Sequence, residues 1–203
     1  MKNIKLLSIA FVFALASCGG GKEPVTPQEE TVPGNADQAK EMKYQIDTEK
    51  SVVNWKGGIP LIKSHTGTLM IKSGNLETTG DMVTGGGIVV DMKSLATTDD
   101  NYDEKSTPEG LIGHLGTGDF FEIEKFSVAS AVFTGDNKVN LSVKDKTHSE
   151  VFTDVSVTEV DGHKVFKAKM TFDRQKYGVS FTGPKPDVLI SNDIELEVEL
   201  YTK

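Results

Sequence analysis

The sequence predicts an all-β fold: an extended antiparallel barrel of about eight strands, with one short helix near the barrel mouth. From Lys43 onward, apolar and polar residues alternate with a period of two, which is typical of antiparallel strands with one buried and one solvated face. Turn sequences such as TGDN and VDGHK separate neighbouring runs, as hairpins require. The last run, DIELEVELY, is acidic on one side, which makes it a poor exposed edge and favours closure of the sheet.

The predicted strands each place a set of apolar residues on one side. In chain order, these sets are Val53 and Trp55; His65, Gly67, Leu69 and Ile71; Met82, Ile88, Val90 and Met92; Val139, Leu141 and Val143; Phe166, Ala168, Met170 and Phe172; and Ile194, Leu196, Val198 and Leu200. The glycines at 85–87 lack the lysine of a phosphate-binding loop. We expect them to bend a strand at a corner of the barrel.

The stretch KSTPEGLIGHLGTGDFF, at 105–121, predicts the helix. Ser106 and Glu109 have the spacing of a capping box, and Pro108 follows at an early position. Leu111 and Leu115 share one helical face, and Gly116 ends the helix. With Phe120 and Phe121 behind it, this helix would lie across the open mouth, either as a plug that completes the core or as a functional lid.

The first 17 residues predict a signal peptide. Two lysines precede an apolar run from Leu6 to Ala16, which is too short to span a bilayer and typical of an export signal. The run ends in Leu-Ala-Ser-Cys, which resembles the bacterial lipobox, in which the cysteine is lipidated and becomes the N-terminus. We therefore expect Cys18 to hold the protein on a membrane of the cell envelope, the outer membrane facing the periplasm. The alternative is ordinary cleavage after Ala16, which would give a soluble secreted protein.

We predict that residues 18–42 form the lipidated cysteine and a disordered tether. They contain no aromatic residue, and Pro24, Pro27 and Pro33 interrupt regular structure. A random coil of this length reaches roughly 25–30 Å. The barrel domain then occupies residues 43–203.

The charge balance excludes some partners. The net charge is −8, which argues against nucleic acid as a partner and against attachment to anionic lipid by charge alone. Cys18 is the only cysteine, so no disulfide forms within the chain and the fold depends on its core.

Arg174 is the single arginine in a chain with 22 lysine and arginine residues. If the alternation continues past Phe172, the Arg174 side chain points inward. Burying an unpaired charge there would cost too much free energy. Arg174 therefore needs an internal carboxylate, the open mouth or an anionic ligand group, for which a planar guanidinium is well suited. The alternatives are a structural salt bridge or a bulge that turns the side chain outward.

His65 and the aromatic residues are ambiguous in the same way. His65 shares a side with Leu69 and Ile71, so it is either a satisfied core or rim histidine or a ligand contact. Trp55 and Phe172 fit a core or a pocket, because an eight-stranded barrel is either filled by its side chains or holds one small ligand.

Several motifs taken together resemble the YceI-like proteins, which are lipocalin-like barrels implicated in binding polyisoprenoids. In order, they are YQID, SVVNWKG, SHTG, GGIVVDMKSL, GHLGTGDFFEIEKF, VNLSVKDKTHSEVF, FDRQKYGV and DIELEVELY. The resemblance runs from about Lys43 to the C-terminus and implies an apolar lumen that takes a long isoprenoid tail. It supports seven candidate ligand-binding residues: Trp55, His65, Leu115, Phe120, Phe121, Phe172 and Arg174.

Patterns typical of catalysis or metal binding are not found in the sequence. The four histidines lack zinc-like spacing. Asp99, Asn101 and Asp103 start like a calcium loop, but Glu104 stands where glycine is required and Gly110 where the last ligand belongs. We therefore predict no catalytic residue, no metal and no cofactor.

The leading hypothesis is a non-enzymatic lipoprotein that binds an isoprenoid or similar long-chain lipid, with Arg174 and His65 near a polar head. The alternatives are an enzyme acting on a lipid-like substrate and a structural or stress-related envelope protein with a filled core. An apolar cavity of several hundred cubic ångströms would favour binding. A twofold homodimer is the default expectation for assembly.

Overall fold

The computed structural model describes residues 40–183 and 189–203. The predicted signal peptide, Cys18 and most of the predicted tether lie outside these residues. Nine strands and one α-helix are present in the described part: β1 Glu41–Ile59, β2 Lys63–Thr79, β3 Met82–Thr97, α1 Pro108–Leu115, β4 Val128–Gly135, β5 Lys138–Val143, β6 Lys146–Val151, β7 Thr153–Val160, β8 His163–Asp173 and β9 Asp193–Thr202. A 3₁₀ helix, Arg174–Tyr177, follows β8.

All nine strands form one antiparallel sheet, in the order β6-β5-β4-β3-β2-β1-β9-β8-β7. Its two edge strands, β6 and β7, are consecutive in the chain and are separated only by Phe152, which is buried. The sheet therefore curls until both edges meet in one chain segment. This confirms the predicted antiparallel barrel, and the ninth strand arises because the segment 146–160 pairs first with β5 and then, beyond Phe152, with β8.

The inner face of the sheet carries the predicted apolar sets. Val53, Leu69, Val139 and Phe166, for example, are all buried. Met82 is an exception, with 67% of its surface exposed.

A bulge in β3 explains the position of Met82. The register of β2 and β3 shifts between Glu77 and Thr78, and Gly86 has a φ of 99°. A Cβ atom on Gly86 would lie 2.4 Å from the Asn75 carbonyl oxygen. The extra residue, Thr84, reverses which side chains face inward, so grouping Met82 with Ile88 was wrong. The shift lies directly beside the three glycines, where a bend of the strand was predicted.

Helix α1 begins one residue later than the predicted capping box implies. Thr107 is the N-cap, and its Oγ1 accepts a hydrogen bond from the Gly110 N–H at 3.1 Å. The Ser106–Glu109 capping box is therefore wrong, and the Ser106 hydroxyl instead accepts a hydrogen bond from Lys63. Gly116 is the C-cap, as predicted.

The barrel has two distinct ends. The mouth end carries the β1–β2 turn at 60–62 and the chain between β8 and β9, because Lys56 pairs with Glu195 in register. The far end carries the β2–β3 and β7–β8 turns, which are joined by an ion pair of 3.1 Å between Lys164 Nζ and Asp81 Oδ1. No helix within the described ranges is long and apolar enough to cross a membrane.

Candidate functional site: an apolar cavity at the barrel mouth

The curled sheet encloses a cavity of about 450 Å³ that is lined almost entirely by apolar side chains. Inward-facing residues of the strands form its wall, among them Ile88, Val90, Leu141 and Val198. Helix α1 adds Leu111 and Leu115 at the mouth and has no fully buried residue. The helix therefore lies across the mouth, where Leu111 and Leu115 also pack against the core.

The structure places all seven predicted ligand-binding residues on this wall. Trp55, His65 and Phe172 come from strands, Leu115 from α1, Phe120 and Phe121 from the segment after α1, and Arg174 from the 3₁₀ helix. Residues far apart in sequence are thus brought to one cavity. Their contact with a ligand stays a prediction.

The Trp55 ring is fixed against β2 and β3. Its Nε1–H donates to the Ala96 carbonyl oxygen at 3.2 Å. The ring also packs over Gly67, where an added Cβ atom would lie 2.5 Å from a ring carbon. Gly67 is therefore required for the tryptophan to form this part of the wall.

Aromatic rings join α1 to the chain that follows the 3₁₀ helix. The centroids of His114 and Phe120 are 5.0 Å apart, those of His114 and Phe181 are 5.0 Å apart, and those of Phe120 and Phe181 are 5.3 Å apart. Such edge-on and tilted pairs stabilise beyond their buried area. The three rings all line the cavity, so this cluster determines how the mouth is closed.

Arg174 is held by backbone carbonyl groups. Strand β8 ends at Asp173, whose carboxylate accepts from the Gln175 N–H at 2.9 Å and caps the 3₁₀ helix. The guanidinium of Arg174 donates to the carbonyl oxygens of Ser191 at 2.8 Å, Val179 at 2.6 Å and Ile190 at 3.3 Å.

Backbone carbonyl groups were not among the partners that the sequence left open for Arg174, and an internal carboxylate, a salt bridge and an outward bulge are all contradicted. The side chain is 1% exposed, and burial lowers its pKa from the usual value, while nearby Asp173 acts in the opposite direction. No salt bridge involves it among the described residues. Since carbonyl groups take up three of its N–H donors, Arg174 fastens the chain before β9 to the 3₁₀ helix.

His65 is positioned by Asp99. Its Nδ1 lies 3.1 Å from Asp99 Oδ1, and the same carboxylate accepts the Thr66 N–H at 2.9 Å and the Asn101 N–H at 3.0 Å. Burial would raise the pKa of Asp99, but the hydrogen bonds from Thr66, Asn101 and His65 prevail and lower it. An ionised carboxylate only accepts hydrogen bonds, so Nδ1 carries the proton and Nε2 stays available.

Two further polar groups lie beside His65. Lys63 Nζ donates to Ser106 Oγ at 3.2 Å and lies 5.7 Å from the centroid of the Tyr102 ring. That ring stacks on His65 at a centroid distance of 4.9 Å. We call Lys63, His65 and Ser106, which all line the cavity, the polar rim.

Sequence reasoning missed most of this cluster. No local pattern predicts that Lys63, Tyr102 and Ser106 lie together, because they meet only when β2 is folded beside the chain that precedes α1. The run that starts like a calcium loop at Asp99 does mark a polar site. Its carboxylate, however, accepts hydrogen bonds from His65 and from the backbone. Within the described ranges, no group of three or more histidine, cysteine or acidic residues is placed to hold a metal.

The fold and the site place this protein in the class of small antiparallel β-barrels that curl around an apolar cavity. The model of the YceI-like domain matches residues 44–202. The chain therefore belongs to the YceI-like family.

Two solved structures are similar in fold. A polyisoprenoid binding domain from Saccharophagus degradans, implicated in plant cell wall breakdown, is 14% identical with a TM-score of 0.61, and the match covers 82% of this chain and 98% of that domain. BcnA from Burkholderia cenocepacia is 16% identical with a TM-score of 0.52, and the match covers 78% of this chain and 99% of BcnA. No curated protein matches this chain.

Proposed function

We propose that this protein binds an isoprenoid or similar long-chain lipid in its barrel and catalyses no reaction. The observation that carries the proposal is the apolar cavity of about 450 Å³, which lies within the range of small-molecule sites, about 300–1,000 Å³. Membership in the YceI-like family and the fold shared with a polyisoprenoid binding domain support it.

The cavity volume limits how much hydrocarbon is enclosed. A volume of about 450 Å³ holds about 15 groups the size of a water molecule, at ~30 Å³ each, and a methylene group is of similar size. Each buried methylene contributes about 0.8 kcal/mol. Transfer of the tail from water therefore supplies binding free energy without any catalytic group.

The polar head of the lipid would lie at the polar rim. His65 Nε2, the Lys63 ammonium and the Ser106 hydroxyl have hydrogen-bonding capacity beyond their contacts in the described residues. The Arg174 guanidinium already donates to three carbonyl oxygens, so His65 is the better candidate for contact with the head.

Two alternatives find less support. A filled structural core does not fit the cavity. An enzyme would need a bonded acid and base deep in the lumen, whereas the His65–Asp99 pair lies at the mouth end, on the first residues of β2 and just after β3.

We also propose that Cys18 is lipidated and holds the domain on the bacterial cell envelope, at the outer membrane facing the periplasm. The support is the sequence alone: a basic start, a short apolar run and Leu-Ala-Ser-Cys at its end. Incorporation of labelled palmitate that is lost in Cys18→Ala would support this anchor. Equal incorporation in that variant would contradict it.

Native purification followed by organic extraction and mass spectrometry tests the binding function. The expected result is a stoichiometric long-chain lipid released from the folded protein. A matched preparation of Ala129→Phe, which adds a ring to a buried position of the cavity wall, controls for lipid carried along on the surface. Equal lipid in both preparations, or none in the wild type together with no uptake of added prenyl lipid, would refute the proposal.

A further inference from the structure

The turn that joins β1 to β2 exposes two large apolar side chains. Leu61 is 108% exposed and Ile62 is 72% exposed. The Ile62 N–H donates to the Ile59 carbonyl oxygen at 3.1 Å and closes a tight turn with Pro60 at its second position. Packing within the fold therefore does not account for either side chain.

The backbone of Leu61 makes this choice of residue more unusual. Its φ is 62°, and the third position of such a turn favours glycine or asparagine. Asparagine would suit both the conformation and the solvent better than leucine. A residue that fits its turn poorly and contacts water suggests a role outside the folding of this chain.

The turn lies on the rim of the cavity. Gly58 and Ile59 before it and Lys63 after it line the cavity wall. The Ser191 N–H donates to the Gly58 carbonyl oxygen at 2.8 Å, which holds the segment carrying Leu189 beside the same end of β1. Leu189 is 57% exposed. We call Leu61, Ile62 and Leu189 the apolar tip.

The charge around the apolar tip differs from that of the whole chain. The net charge of the protein is −8, yet Lys63 is the only charged residue within 57–64. Glu195, an acidic residue at this end of the barrel, is bound to Lys56 at 3.1 Å. A lysine beside exposed leucine and isoleucine is common at a lipid interface, where its aliphatic stem contacts acyl chains.

We propose that the apolar tip inserts into the surface of a phospholipid bilayer and brings the mouth against it, so that the guest moves between bilayer and cavity without crossing water. This inference rests on the proposed binding of a hydrocarbon lipid, because each methylene that enters water is unfavourable. Three exposed side chains are too few for permanent attachment. The contact is therefore transient, as a transfer step requires.

The predicted anchor is compatible with this contact. The described chain begins at Lys40, at the far end, where Glu41 pairs with Thr79. Cys18 and Lys40 are 22 residues apart in sequence, a stretch that spans at most ~75 Å. Strand β1 has 19 residues and a length of about 60 Å. The mouth can therefore reach the bilayer that holds Cys18, or a neighbouring one.

Lipid transfer by the full-length chain tests the proposal. The tip variant is Leu61→Asn with Ile62→Ser, in which asparagine suits the positive φ. The control variant is Met82→Ser with Val160→Ser, two exposed apolar residues at the far end. We expect the tip variant to move a fluorescent C15 prenyl lipid between phosphatidylcholine vesicles at least tenfold more slowly, with unchanged equilibrium binding. The control variant should match the wild type.

A second measurement does not depend on the guest. In Leu61→Trp, brominated acyl chains should quench the added indole beyond any quenching seen in the wild type, whose single tryptophan, Trp55, is 9% exposed and lies on the cavity wall. Equal transfer rates, absence of quenching, or a tip variant that alters only self-association would overturn the inference. If quenching occurs but neither the wild type nor any variant binds the guest, the tip contacts the bilayer and the proposed lipid-binding function is contradicted.

Discussion

Arg174 Nη1 lies 2.6 Å from the carbonyl oxygen of Val179, and both residues are almost completely buried. The single arginine of the chain thus connects the end of β8 to the segments on either side of residues 184–188. Lysine has no planar fork of donors with which to reach three carbonyl groups at once. The position therefore explains why arginine is used here.

Arg174→Met should lower the free energy of unfolding by about 3 kcal/mol, because it removes charge-assisted hydrogen bonds and leaves buried carbonyl oxygens without a donor. Chemical denaturation measures this loss. Lys167→Met, which removes an exposed lysine paired with Glu199, is the control and should show no comparable loss. An Arg174 variant as stable as this control would contradict the structural role of the guanidinium.

Asp99→Asn should destabilise the protein by about 1–2 kcal/mol at neutral pH, since an amide cannot accept all the hydrogen bonds of the carboxylate. The pKa of Asp99 is lowered in the folded state, so its contribution is complete above the pKa of an unfolded aspartate, about 3.9. It is lost as the pH falls through the lower folded value. The difference between wild type and variant, measured by denaturation from pH 7 to pH 3, should therefore shrink below about pH 4. A difference that stays constant would contradict this.

The affinity for straight-chain alcohols should rise with length and then level off. Each methylene that enters the cavity should increase the affinity about fourfold, the equivalent of ~0.8 kcal/mol. The increase should stop near 15 carbons, when about 450 Å³ is filled. Displacement titrations with alcohols of increasing length measure the slope. A slope that continues well beyond this length would mean that the cavity is larger when occupied.

Thr107→Ala should lower the free energy of unfolding by about 1 kcal/mol, because Thr107 Oγ1 caps helix α1. Ser106→Ala leaves this cap in place and is the matched control. Since α1 covers the mouth, the Thr107 variant should also release its guest faster in a dissociation assay. A larger stability loss in Ser106→Ala would favour the capping box that the sequence predicted.

The strands were predictable because their alternation depends only on local chemistry. Along β8, Phe166, Ala168, Met170 and Phe172 are all buried as expected. The pattern failed in β3, where the extra residue Thr84 shifts the register and turns Met82 outward. Arg174 is buried as the alternation predicted, although it lies in the 3₁₀ helix that Asp173 caps and not in the strand.

The sequence left open whether the barrel is filled by its side chains or encloses a cavity. Alternation shows which side chains face inward but not how much volume remains between them. The polar rim was not predictable in full. His65 and Asp99 are 34 residues apart in sequence, and Lys63 meets Ser106 only after β2 is folded beside the chain before α1. No local sequence pattern predicts contacts between residues so far apart in the chain.

Direct titration of lipid-stripped protein with a labelled C15 isoprenoid alcohol tests the central claim, that the barrel encloses a hydrocarbon guest. The account predicts one guest per chain, with binding strongly weakened in Ala129→Phe, whose added ring occupies the cavity. Absence of saturable binding, or equal binding by the Ala129→Phe variant, would contradict it.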